Sequence, residues 1–188
     1  CQQLGGHVIW VDAEQSWMNT WAEANGVDPN GVTVIQDTRI EYVSDVVADL
    51  AIYWRSQLVN NEPILLVVDS IAAMDCADNI DSKMADGKAE MGGRAKALYK
   101  YFRIRSELFA KLGVTQIYIN QLRTALNVGF GKDNTTTTGG AALKFYASIR
   151  MAFYAGKSIT VKSKGKERKA GKLVTIRILK NKVAPPKP

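Results

Sequence analysis

Apolar residues along this chain fall into short runs, separated by stretches where they recur at every third or fourth position. Val8-Ile9-Trp10-Val11, Val32 to Ile35, Ile64-Leu65-Leu66-Val67-Val68 and Val114 to Ile119 are β-branched or aromatic runs of strand length. Between them the spacing changes to a helical period. A segment after Glu14 runs to Asn25 and stops at Gly26, a long amphipathic stretch covers about Glu41 to Leu58, and Met91 to Leu112 ends at Gly113, placed to cap a helix in the left-handed conformation. Strands alternating with helices predict an α/β fold: a mostly parallel central sheet with helices on both faces, built from right-handed βαβ units. After Gln121 the pattern changes. Leu122 to Gly140 is rich in Gly, Thr and Asn and reads as a loop, as does the Asp-rich segment from Asp75 to Glu90. Ile149 to Tyr154 and Leu173 to Leu179 then read as antiparallel strands flanking a basic Gly/Ser/Lys turn.

Composition narrows the chemistry. With 188 residues, 46% hydrophobic, the chain is long enough to bury one core, and a single domain is expected over residues 1–188. No apolar run approaches the length needed to cross a bilayer, so no membrane partner is expected. Cys1 and Cys76 form no CxxC pair, which disfavours a disulfide framework or a cysteine zinc site and fits the cytoplasm. The single histidine, His7, lies at the edge of an apolar run and is expected to be structural. Catalysis would therefore fall to carboxylates, amides and cations. The net charge of +7 conceals a strong asymmetry: residues 1–94 hold 5 Lys and Arg against 15 Asp and Glu, and residues 95–188 hold 20 against 3. Such a division suggests that the second half faces a polyanion, while the acidic half holds Mg²⁺ or meets the basic half of a neighbouring subunit. The alternative is a solvated basic face.

Ligands of open α/β sheets sit at the carboxyl ends of the strands, and three of the runs end in Glu14, Asp69-Ser70 and Asn120-Gln121. These polar groups are expected to meet in one crevice. An apolar strand ending in Asp is the Walker B pattern, whose carboxylate helps to position Mg²⁺ on nucleotide phosphates. Asp-Ser after a strand serves equally as a helix cap, and Glu in a first helical turn needs no catalytic duty.

Read together, Val11-Asp12-Ala13-Glu14, Val67-Val68-Asp69-Ser70-Ile71-Ala72-Ala73, Ile119-Asn120-Gln121-Leu122-Arg123, Thr136-Thr137-Thr138-Gly139-Gly140, Leu143-Lys144-Phe145-Tyr146-Ala147-Ser148 and Lys180-Asn181-Lys182 closely resemble the RecA recombinases, including those of bacteriophages. The resemblance extends from about Val8 to Pro185 and implies a RecA-type P-loop NTPase core with a C-terminal antiparallel hairpin. It further implies a DNA-dependent ATPase of homologous recombination, DNA repair and the SOS response to DNA damage. Such a protein uses ATP and Mg²⁺, forms a homo-oligomeric filament on single-stranded DNA and pairs it with double-stranded DNA.

By position, the resemblance makes Glu14 the residue that polarises the attacking water, Asp69 the Walker B aspartate with an indirect hold on Mg²⁺, and Ser70 its neighbour on the nucleotide side. Gln121 becomes the sensor of the γ-phosphate, Trp21 an aromatic against the adenine, and Lys180 and Lys182 cations that reach a neighbouring subunit's nucleotide. Lys144, Phe145 and Arg150 fall at the subunit interface. Arg123, Phe130, Thr136, Thr137, Thr138, Gly139 and Gly140 belong to the second DNA-binding loop, and Lys96 and Arg103, two turns apart on one helix face, to cations facing the DNA. The 75–90 segment would include the first DNA loop, although it is acidic apart from Lys83 and Lys88. No GxxxxGK[ST] phosphate loop occurs in the chain, since Gly165-Lys166 is followed by Glu167. The sequence therefore reads as a fragment of the core, lacking that loop, the N-terminal helix and the C-terminal domain, and is expected to be inactive alone. Two other classes remain open: another RecA-fold motor, such as a helicase, and a DNA-binding module without catalysis.

Overall fold

The structure is a computed structural model that describes residues 1–81, 92–124, 135–163 and 166–184. Its described residues form two compact units, Cys1–Leu143 and Lys144–Pro188. Four parallel strands make the first unit's main sheet: β1 (His7–Asp12), β2 (Val32–Ile35), β3 (Ile64–Asp69) and β4 (Val114–Tyr118), in the order β2-β1-β3-β4. The helices are α1 (Asn19–Ala24), α2 (Ile40–Gln57), α3 (Ala77–Asp81), α4 (Gly93–Lys111) and α5 (Ala142–Tyr146).

The long amphipathic stretch becomes α2 because Ile40, Val43, Val47, Ala48 and Ala51 recur at helical spacing and are all buried. Helix α4 buries Ala97, Leu98, Tyr101, Phe102 and Phe109 and ends before Gly113, whose φ of +63° is the left-handed conformation expected of a cap. The imidazole of His7 stacks on Trp54 of α2 at 3.5 Å, so His7, Ile9 and Val11 face the helices. Val68, Tyr118, Ile40, Val43, Leu98 and Tyr101 meet on the same side, which puts α2 and α4 together on one face. Trp10 alternates with these residues and meets Trp17 instead. The connection from β1 to β2 runs opposite in direction to the one from β3 to β4, and right-handed crossovers assign α1 to the second face. The helix expected after Glu14 is short, starting only at Asn19, because residues 13–17 are held in a loop described below. Part of the 75–90 segment is helical as α3, and residues 82–91 lie outside the described residues.

Within the expected loop after Gln121, β5 (Leu122–Thr124) and β6 (Thr135–Thr137) pair antiparallel, with Arg123 opposite Thr136. Residues 125–134, including Phe130, lie outside the described residues. The second unit is built on a hairpin of β7 (Ile149–Ser163) and β8 (Lys166–Asn181). Antiparallel pairing was expected at its base, but the ladder continues through the basic segment read as a turn, as far as Ser163 opposite Lys166. The physical reason is cross-strand pairing: Ile159 and Val161 alternate with polar residues there, and two of the three register shifts fall beside Gly156 and Gly171. None of the described helices is long and apolar enough to cross a membrane.

Candidate active site

Parallel pairing brings the carboxyl ends of β1, β3 and β4 side by side, with Asp12 in register with Asp69 and Val68 with Tyr118. The amides of Ala13 and Glu14 donate to the carbonyl of Asp69 at 2.8 and 3.2 Å, extending the ladder just past the strand. Glu14 is thereby placed over the end of β3. There its Oε1 accepts the hydroxyl of Ser70 at 2.5 Å and the side-chain amide of Gln121 at 3.3 Å. Ser70 is buried, while Glu14 and Gln121 are exposed, so the three form a floor that opens to solvent. The expectation that three strand ends meet is thus realised in geometry for Glu14, Ser70 and Gln121.

Asp69 lies beside them, half-buried. Burial pushes its carboxyl above the usual carboxylate range, and the charges of Glu14 and Asp12 push it further in the same direction. A cation at this point would relieve that repulsion. Among the described residues no group of three or more His, Cys, Asp or Glu side chains forms a metal cage, so a cation here needs ligands from elsewhere. Asp12 was not singled out from the sequence beyond its place in a motif. It is fully buried, and although burial pushes its carboxyl up, donation from the Gln36 amide and from the Ser16 and Trp17 main-chain amides outweighs this and holds it below the usual value. A charged residue closing a run that is otherwise buried was the available signal.

Behind Gln121, Asn120 links the sheet to the following segment. Its amide donates to the carbonyl of Thr138 at 2.9 Å, and its Oδ1 accepts the main-chain amide of Gln121 at 2.9 Å. Gly139 and Gly140 follow with φ of +92° and +70°, and Gly139 is buried against Leu98, where a Cβ would come within 2.6 Å of Leu98 Cδ1. Thr137 and Thr138 are half-buried. Trp21, on α1, is 67% exposed and leaves a ring face open. Lys96 and Arg103 are both exposed on α4, and Lys96 lines a groove with Glu41, Cys76, Asp78 and Lys100.

In the second unit Lys180, near the end of β8, and Lys182, just past it, reach toward the same carbonyl. The ammonium of Lys180 donates to the carbonyls of Lys144 and Phe145 at 2.6 and 2.9 Å, and that of Lys182 to Phe145 at 3.5 Å. They close the C-terminal end of α5, where helix carbonyls lack partners. Arg150 is the cross-strand partner of Lys180. Desolvation first, and then the neighbouring charges of Lys182 and Arg150, hold the Lys180 ammonium below its usual pKa. The Phe145 side chain is 77% exposed.

Residues 1–187 match the family model described as RecA N-terminal domain. The chain is 37% identical to Protein RecA of Porphyromonas gingivalis over 185 residues, 98% of this chain and 50% of that protein. To Protein RecA of Bacteroides thetaiotaomicron it is 35% identical over 98% of this chain and 52% of the relative, and to that of Sulfurimonas denitrificans 35% identical over 99% and 50%. It spans about half the length of these curated relatives. With a family model covering nearly every residue, and like-named relatives aligned along nearly its whole length, this chain belongs to the RecA family.

Proposed function

We propose that this chain carries the hydrolytic and DNA-facing parts of an ATP-dependent recombinase that filaments on single-stranded DNA, pairs it with homologous duplex and serves recombination and repair. The observation that carries the reading is the meeting of Glu14, Ser70 and Gln121 at the ends of three strands, with Asp69 beside them. Glu14 accepts a proton from the water that attacks the γ-phosphate, a role for which an exposed carboxylate with one oxygen already occupied is suited. Asp69 would help to hold Mg²⁺, which when bound neutralises phosphate charge. Gln121 suits a sensor because its amide can leave Glu14 and donate to a phosphate oxygen instead. Its neighbour Asn120 is tied to Thr138, so a shift at the strand end is felt in the Thr136 to Gly140 segment that would meet DNA.

Glycine and threonine donors there, with Arg123, suit contacts to phosphates without regard to sequence. Trp21 offers a ring to the adenine, Lys96 and Arg103 add exposed charge, and Lys180, Lys182 and Arg150 form a cation cluster fitted to a neighbour's phosphates. The phosphate-cradling loop is not among these 188 residues, so hydrolysis is tested in the complete gene product. There, Gln121→Ala should leave ATP binding within about threefold of the parent while abolishing the increase in single-stranded DNA affinity that ATP brings. Undiminished ATP enhancement of DNA binding, measured by fluorescence anisotropy, would remove the coupling role. If neither parent nor variant responds to ATP, a DNA-binding module without catalysis becomes the better reading.

A further inference from the structure

Asp12 is the one fully buried carboxylate among the described residues, and an ionised carboxylate out of water is costly unless every lone pair is met. Here they are met. Oδ1 accepts the main-chain amide of Ser16 at 2.9 Å and its hydroxyl at 3.4 Å, and Oδ2 accepts the amide of Trp17 at 3.0 Å and the side-chain amide of Gln36 at 3.0 Å. Four donors on two oxygens leave Asp12 no capacity to bind a cation or orient a water. Three of the four lie two or three residues beyond Glu14, and the fourth comes from the end of β2. On its other flank Glu14 is held through its own amide by the Asp69 carbonyl. The segment carrying Glu14 is therefore tied at both ends, although the Glu14 side chain itself stands in solvent.

We infer that Asp12 is a positioning residue for Glu14: it anchors the loop that aims the Glu14 carboxylate across the end of β3, and it touches neither nucleotide nor water. This rests on the reading of Glu14 as the general base. The reason a buried charge is needed, and not a neutral amide, is that all four partners are donors. An amide at this position would turn its own N–H₂ toward the main-chain N–H of either Ser16 or Trp17, and neither can accept.

The test compares DNA-dependent ATP hydrolysis by the complete gene product with Asp12→Asn, Glu14→Gln and the double variant. Glu14→Gln is expected to lower kcat by about 100-fold or more. Asp12→Asn should lower kcat by about 10-fold to 100-fold with KM for ATP within about threefold, and the double variant should be no slower than Glu14→Gln. A residue that only stabilises the fold would instead slow the Glu14→Gln background by its full factor. Such additivity would overturn the inference, as would an Asp12→Asn kcat within about twofold of the parent. Should Asp12→Asn fail to fold by circular dichroism, Gln36→Met carries the test, because it removes a single donor. A kcat loss of about 3-fold to 10-fold that vanishes in the Glu14→Gln background supports positioning, and no loss, or an equal loss in both backgrounds, overturns it. Full activity of Glu14→Gln would remove the general-base reading and, with it, the role of Asp12.

Discussion

His7 shows how a residue's setting outweighs its type. Its place at the edge of an apolar run marks this lone histidine as structural, and it is buried, stacks on Trp54 and shares a hydrogen bond of 2.8 Å with Thr33. Burial lowers its pKa below 6.5, because the charged imidazolium loses hydration. Folding then favours the neutral ring. The stability this setting contributes is complete above the unfolded-state pKa near 6.5 and is lost as pH falls below it toward the lower folded value. Urea unfolding at pH 7.5 and pH 5.5 should show a smaller acid-induced loss for His7→Gln than for the parent. An identical loss in both proteins would mean that the acid sensitivity comes wholly from other groups. Asp12 makes the same point with opposite sign: burial alone would neutralise it, and four donors keep it ionised.

At the scale of elements, the hydrophobic pattern located the four strands and the two long helices well, and it failed where pairing across the chain decides. The segment from Lys157 to Lys172 has the composition of a turn, but residues 158–163 pair with residues 166–172 on the opposite strand and form ladder. The Thr-rich stretch from Thr135 similarly becomes a strand by pairing with residues more than ten positions earlier. Between β6 and α5 the chain turns through Gly139, where a positive φ disfavours any side chain and a Cβ would push against Leu98 Cδ1. Gly139→Ala should destabilise the protein by about 1–3 kcal/mol. An unchanged urea midpoint would show that the turn relaxes freely. Because Thr138 is tied to Asn120, the same substitution should disturb the link between the sheet end and the segment proposed to meet DNA.

For the whole molecule, the charge division predicts assembly in which the acidic half of one subunit meets the basic half of the next. If Lys180 and Lys182 serve a neighbour's nucleotide, complementary defects should rescue each other. Lys182→Ala and Glu14→Gln, each nearly inactive alone in the complete gene product, would regain part of their DNA-dependent ATPase activity when mixed, because some interfaces pair an intact Glu14 with an intact Lys182. Mixed filaments shown by labelled subunits, with no activity at any ratio, would place the lysines' role within their own subunit. The carbonyls of Lys144 and Phe145 that now hold both ammonium groups would have to release them on engagement.

What the sequence determined by itself was periodicity and order: which stretches are strand or helix, the α/β class, and the three polar strand ends that the family motifs mark. Those features are local, since an apolar run or a helical repeat needs only near neighbours to be recognised. The tertiary structure decided which strand ends touch, so that Glu14, 56 residues from Ser70 and 107 from Gln121, shares one oxygen with both. It also decided that Asp12 is an anchor and that α2 and α4 share a face. Contacts between residues distant in sequence depend on strand order and register, and no local pattern encodes them.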